Sequence, residues 1–111
     1  NQKMNNIESA ARFRIADTIS TQIKTLDPYA FWAWGAKELT AIIDKNGIEN
    51  GLGFKTSGLV KNKGYVTVTL NPRDYYDVTF GKIQKSEFKE LNRQKDVFVG
   101  DLIPTIDKMV G

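Results

Sequence analysis

The stretch Tyr65–Lys82, with the sequence YVTVTLNPRDYYDVTFGK, decides the fold of this chain. Two runs rich in β-branched and aromatic residues flank the segment Asn71–Asp74, whose sequence Asn-Pro-Arg-Asp is typical of a turn. Both runs alternate apolar with polar residues, as strands with one buried face do, so the stretch predicts a β-hairpin. The side chains expected on its core face are Val66, Val68, Leu70, Tyr76, Val78 and Phe80.

Helices are predicted on both sides of this hairpin. Asn6–Leu26 has the periodicity of an amphipathic helix, because apolar residues recur at every fourth position. These residues are Ile7, Ala11, Ile15, Ile19 and Ile23. Asp27-Pro28 should end this helix, since a residue that precedes proline avoids the α conformation. A second helix is predicted over Val97–Val110, with Asp101 as its cap and Pro104 in its first turn.

The segment between the first helix and the hairpin predicts strands and turns. Tyr29–Trp34 has strand composition, and the alternation in Lys37–Asp44 favours a strand over a short helix. Asn46-Gly47 is a strong turn signal, and the chain from Ile48 to Gly51 is expected to continue as a loop. Leu52–Lys55 is predicted to be a short strand.

The predicted fold class is α+β, as a single domain over residues 1–111. An N-terminal helix should pack on an antiparallel β-meander, with a C-terminal helix following it. Apolar residues on only one face of each strand favour an antiparallel sheet that is covered on one side. Residues 82–95 fit either a continued strand or a capped helical turn.

The composition excludes several kinds of chemistry. The chain has no cysteine, which rules out disulfides, thiolate metal sites and cysteine nucleophiles. It also has no histidine, which removes the usual general base near neutral pH and every Ser-His-Asp arrangement. We therefore expect a protein that is not an enzyme and that binds no cofactor or metal.

Two further patterns are weak candidates for chemistry. Asp74 and Asp77 could pair their carboxylates, but two acids without a third ligand favour surface positions over a metal site. Gly35-Ala36-Lys37 and Gly51-Leu52-Gly53 lack the spacing that a phosphate-binding P-loop requires. Both patterns are interpreted as structural.

Neither the hydropathy nor the N-terminal residues suggest a membrane. No apolar run approaches the roughly 20 residues that span a bilayer. The polar residues 1–6 do not resemble a signal peptide. The sequence therefore predicts a soluble cytoplasmic protein with no membrane partner.

Lysines clustered in the second half of the chain suggest a nucleic-acid surface. The formal net charge is +3, and the whole surplus lies after Gly51. If Tyr29–Trp34 is a strand, Trp32 and Trp34 point to the same face of the sheet. Such a face could stack bases beside a cationic groove, as single-strand binders do. The predicted nucleic-acid-binding residues are Trp32, Trp34, Lys55, Lys61, Lys63 and Lys82.

The same residues support a second interpretation. Tryptophan is mostly buried in small domains, which favours Trp32 and Trp34 as core or dimer-interface residues. Lysines at sheet edges also block aggregation through unpaired strands. The alternative function is a protein-interaction module, either a modulator of a host protein or a dimerising scaffold, without nucleic-acid binding.

Several segments together are similar to small uncharacterised proteins carried by bacteriophages and bacterial mobile elements. The matching segments are Ile15–Ile19, Gly35-Ala36-Lys37, Leu52-Gly53-Phe54, the Val66–Asn71 strand and Asp74–Phe80, which has the form Asp-x-Tyr-Asp-x-x-Phe. The chain departs from this pattern at Trp34 and lacks the aromatic C-terminal tail. The resemblance implies an accessory protein in a bacterial cytoplasm and implies no catalytic residues.

Overall fold

Five antiparallel strands within residues 14–111, each paired with its neighbours along the chain, form the sheet. The computed structural model describes residues 14–111. The strands are β1 (Lys37–Ile43), β2 (Glu49–Lys55), β3 (Tyr65–Leu70), β4 (Tyr76–Gln84) and β5 (Glu87–Val97). The helices are α1 (Arg14–Leu26), α2 (Ala30–Ala33) and α3 (Leu102–Val110), and a 3-10 turn at Val99–Asp101 precedes α3. The α+β meander between two helices is therefore confirmed.

The hairpin predicted from Tyr65–Lys82 forms as β3 and β4. Val68 lies opposite Val78 and Val66 lies opposite Phe80, and all four side chains are buried. Their face of the sheet carries the core, which α1 and α3 cover. The opposite face, which we call the open face, carries the alternate residues of the same strands.

The first predicted helix is confirmed from Arg14 to Leu26. Residues 6–13 of that prediction lie outside the residues that the structure describes. Ile19 and Ile23 are fully buried in the core. The Asp27 amide donates to the Ile23 carbonyl oxygen at 2.9 Å as the helix ends, in agreement with the stop predicted at Asp27-Pro28. None of the helices within residues 14–111 has both the length and the apolar character needed to cross a membrane.

The buried side chain of Glu49 joins the start of α1 to the sheet. Its Oε2 atom accepts hydrogen bonds from the backbone N–H groups of Ile15, at 3.0 Å, and Ala16, at 3.2 Å. The first N–H groups of a helix have no partner within the helix, and a carboxylate there also interacts favourably with the helix dipole. Glu49 therefore fixes where α1 begins against β2.

The predicted strand over Tyr29–Trp34 is wrong, because this segment contains the short helix α2. The Asp27 side chain accepts a hydrogen bond from the Tyr29 amide at 3.0 Å and so helps to start the new turn. At its end, the amides of Gly35 and Ala36 donate to the carbonyl oxygens of Trp32 and Phe31. This is a Schellman motif, and the φ of +59° at Gly35 supplies the left-handed residue that it requires.

Two other boundaries differ from the prediction, and one segment that the sequence leaves open is resolved. The second strand begins at Glu49 rather than Leu52, because Glu49 pairs with Ile43 and Gly51 pairs with Thr69, so the loop predicted over Ile48–Gly51 is wrong. Glycine suits this position, since a Cβ on Gly51 would collide with the backbone of Val68. Residues 82–95 form the end of β4 and most of β5, joined by a turn at Lys85 and Ser86. Val97 ends β5, so the last helix starts at Leu102 rather than at Val97, and Pro104 lies in its first turn as predicted.

Candidate nucleic-acid interface

The meander brings one set of strand ends to a single side of the molecule. Because neighbouring strands run antiparallel, the starts of β1, β3 and β5 lie beside the ends of β2 and β4. We call this side the basic end, since a lysine occupies or adjoins each of these strand ends. The lysines are Lys37, Lys55, Lys63, Lys82, Lys85 and Lys89.

Three of the four predicted lysines line one surface groove at the basic end. Lys55 closes β2, Lys63 precedes β3, and Lys82 lies near the end of β4. The groove has a volume of about 470 Å³, and its other lining residues are Thr56, Gly64, Tyr65 and Ile83. Side chains separated by up to 27 positions in the sequence are thus brought together, where they can contact neighbouring phosphates of one polymer.

Lys61, the fourth predicted lysine, does not line this groove. Its loop packs against the end of α3, where the Asn62 amide donates to the Val110 carbonyl oxygen at 2.8 Å. The Asn62 side chain also donates to the Met109 carbonyl oxygen at 3.0 Å. Lys61 is therefore placed beside a helix C-terminus, where a cation interacts favourably with the helix dipole.

The charge of Lys55 is partly matched by an acid. Its Nζ atom lies 2.8 Å from the Glu38 carboxylate, and both side chains are exposed. The hydrogen bond to Glu38 and the attraction of its charge raise the pKa of Lys55. Within residues 14–111, Lys63 and Lys82 form no ion pair, so their charges face solvent. These two lysines are the stronger phosphate candidates.

The opposite end of the sheet, which we call the acidic end, has four aspartates against three cations and is hydrogen-bonded internally. Asp77 accepts from the Asn71 side chain at 3.0 Å and from the Asp96 amide at 3.1 Å. Asp74 lies in the turn with a φ of +64°. The described part of the chain contains no group of three or more acids that could hold a metal ion. The carboxylate of Asp77 thus orders the turn between β3 and β4.

The prediction that Trp32 and Trp34 share an open sheet face is wrong. They lie two residues apart at α2, and such residues point to nearly opposite sides of a helix. Trp34 is only 2% exposed, and its ring stacks on Phe54 with centroids 5.8 Å apart. The core alternative is therefore correct for Trp34, which is inaccessible to a base.

Trp32, in contrast, is 80% exposed and remains available for contact. It lines an apolar groove with Leu59, which is 95% exposed, and with Lys37. This groove adjoins the lysine groove. Lys37 of the apolar groove lies opposite Lys55 of the lysine groove, and Ser57 of the first follows Thr56 of the second. Trp32 is thus the one predicted aromatic residue that reaches the basic end.

Two aromatic residues at the basic end were not predicted from the sequence. Tyr65 and Phe88 lie on the open face with ring centroids 6.0 Å apart. The Tyr65 ring covers Gly53, and the Phe88 ring covers Gly81, where a Cβ would collide with it. The signal was present in the alternation, because Tyr65 is out of phase with the buried Val66 and Val68. Glycines in adjacent strands make room for such rings.

A two-stranded projection extends from the basic end. β3 begins at Tyr65, opposite Gly81, so the residues after Gly81 pair only with β5. We call residues 82–91 the arm, and every one of them is exposed. A bulge marks the base of the arm. Phe80 pairs with Asn92 and Gly81 pairs with Glu90, which leaves Leu91 without a partner in β4.

No protein family, curated protein or solved structure matches this chain.

Proposed function

We propose that this protein binds nucleic acid through the basic end of its sheet, as an accessory protein of a bacteriophage or mobile element in a bacterial cytoplasm. The observation that carries the proposal is the convergence of Lys55, Lys63 and Lys82 in one groove. The assignment to a mobile element rests on the resemblance of the sequence motifs alone. A binding role, rather than a catalytic one, accords with a chain that lacks histidine and cysteine.

The distribution of charge favours an extended polyanion as the partner. The basic end carries six lysines and three acids, Glu38, Glu87 and Glu90, while the other end carries four aspartates, Asp44, Asp74, Asp77 and Asp96, and three cations, Lys45, Arg73 and Lys95. A field with this asymmetry would attract a polyanion to the basic end and repel it from the other. Trp32 and Tyr65, next to the lysines, offer rings for bases that are not paired.

Binding to labelled oligonucleotides, measured by fluorescence anisotropy over a range of salt concentrations, tests this proposal. The affinity should fall steeply with salt, because phosphate contacts release counterions. Lys63→Gln and Lys82→Gln should each weaken binding and reduce the salt slope by about 1. The matched controls are Lys45→Gln and Lys95→Gln, at the acidic end. They should change neither the affinity nor the salt slope. No binding to any DNA or RNA, or equal losses in the controls, would refute the proposal.

The exposed pair of Trp32 and Leu59 favours a second candidate, a protein-interaction module. Two large apolar side chains beside one groove are a common feature of protein-binding surfaces. The partner would be a host protein or a second copy of this chain. Trp32→Ala and Leu59→Ser, examined by light scattering and by oligonucleotide binding, separate the two functions. A wild-type dimer that both variants disrupt, together with no measurable oligonucleotide binding by the wild type, would favour the interaction module.

A further inference from the structure

The arm, residues 82–91, is a two-stranded ribbon that carries three lysines. We propose that it enters the major groove of double-stranded DNA. This inference rests on the proposed function and specifies the ligand of the same site.

The arm is preorganised as a twisted ribbon. Gln84 pairs with Glu87 across Lys85 and Ser86, whose φ angles are +52° and +68°. Positive φ at both central residues is the signature of a type I′ turn, the two-residue turn that matches the natural twist of a hairpin. The extra residue at Leu91 bends and twists the ribbon further at its base. The arm therefore has a defined direction before any ligand binds.

Three lysines outnumber the two acids of the arm, of which Glu87 shares a face with Lys82 and Lys89 and Glu90 pairs with Arg93. Lys82 lies directly opposite Lys89, and Lys85 occupies the tip. Like charges directly opposite one another destabilise a strand pair. Within the described residues none of these three lysines forms an ion pair. Phosphates beside the arm would attract both lysines and relieve the repulsion between Lys82 and Lys89.

The size of the arm suits the major groove of B-DNA. Residues 82–84 extend about 10 Å beyond Gly81 at the rise of an antiparallel strand. The major groove is about 12 Å wide and 8.5 Å deep, and it admits a two-stranded ribbon. The corresponding groove of an RNA duplex is deep and narrow, and a single strand has no groove. The geometry thus favours duplex DNA over both.

The other face of the arm can contact bases. Ile83 and Phe88 lie opposite each other on the open face, and both are exposed. Apolar side chains in the major groove contact the methyl group of thymine. Lys63 and Lys55, in the groove at the base of the arm, are placed to contact the flanking phosphates.

The test compares one sequence as a DNA duplex, an RNA duplex and a DNA single strand, all 20 nucleotides long. We expect the DNA duplex to bind at least about tenfold more tightly than the other two. The double variant Lys82→Gln/Lys89→Gln should weaken duplex binding by more than about tenfold, whereas Lys45→Gln/Lys95→Gln should not. Circular dichroism of each variant checks that the fold is retained.

Methylation of guanine N7 by dimethyl sulfate, a reaction in the major groove, locates the arm. The wild-type protein should protect N7 within its site, and the Lys82/Lys89 double variant should not. Binding without N7 protection, or equal affinity for the three polymers, would overturn the arm inference while leaving nucleic-acid binding in place. No binding to any polymer would instead refute the proposed function.

Discussion

The indole Nε1–H of Trp34 donates a hydrogen bond of 2.7 Å to Oδ1 of Asp107, which joins the end of α2 to α3. The two residues are 73 positions apart in the sequence. The same indole ring stacks on Phe54 of β2. Trp34 therefore connects α2, which precedes the sheet in the sequence, to α3, which follows it, and to β2. Hydrogen bonds to a charged acceptor are stronger than those between neutral groups.

Trp34→Ala should lower the free energy of unfolding by about 3–5 kcal/mol, because it removes a large buried ring. Asp107→Ala should cost about 1–3 kcal/mol, because the indole N–H loses its partner, and Asp107→Asn should cost less because it keeps an acceptor. Trp32→Ala is the matched control and should change stability by about 0.5 kcal/mol or less. Urea unfolding measures all four variants. Equal losses for the two tryptophans would contradict the burial of Trp34.

The two tryptophans should also differ in fluorescence. Trp34→Phe leaves the exposed Trp32, whose emission should lie at long wavelength and be quenched readily by acrylamide. Trp32→Phe leaves the buried Trp34, whose emission should lie at shorter wavelength and resist quenching. Similar quenching constants in the two variants would show that Trp34 is accessible. The readout distinguishes the observed helix from the predicted strand.

Glu49 is expected to be needed for the start of α1. Glu49→Ala leaves the Ile15 and Ala16 N–H groups without their acceptor, which should lower stability by about 1–3 kcal/mol. Glu49→Gln retains an acceptor and should cost less. Glu87→Ala, on the exposed arm, is the control. Hydrogen exchange at the two amides, together with urea unfolding, measures the effect, and unchanged exchange in Glu49→Ala would contradict it.

Tyr76 should make stability fall at alkaline pH. Burial raises the pKa of its hydroxyl, which also donates a 2.6 Å hydrogen bond to Gln22. The folded pKa of Tyr76 therefore lies above the unfolded pKa of about 10. The contribution of the protonated hydroxyl to the free energy of unfolding is fully present below pH 10 and is lost as the pH rises through the folded pKa. The difference in unfolding free energy between wild type and Tyr76→Phe should therefore shrink above pH 10. A difference that is constant from pH 8 to 11 would exclude this role.

The fold was predictable where local pattern and tertiary environment agree. Val66 and Val68 alternate with threonines, and the buried face of the sheet requires that alternation. Tyr29–Trp34 was not predictable from composition, because its aromatic residues suit a strand as well as a core. The helix is decided by its ends, since the Asp27 side chain accepts a hydrogen bond from the Tyr29 amide just before it and Gly35 terminates it. Giving these two residues more weight than the aromatic composition would have identified α2.

The candidate site was predictable in its residue types and less so in its geometry. The clustering of lysines after Gly51 was visible in the sequence, but their meeting at one end depends on the order of the strands. Lys61 and Lys63 are two residues apart, yet the loop directs one towards the end of α3 and the other to the groove. Phe88 could not be assigned while its segment fitted either helix or strand.

The order of the strands also bears on how this chain is made. Since each strand after β1 pairs with the one before it, each hairpin can close as soon as its second strand leaves the ribosome. No interior strand has to wait for a distant partner, so unpaired edges are exposed only briefly during synthesis. Sheets with local pairing fold faster than those that join distant segments, and exposed edges are a main route to aggregation. The docking of α3, with its contact between Asp107 and Trp34, comes last, because α3 follows all five strands along the chain.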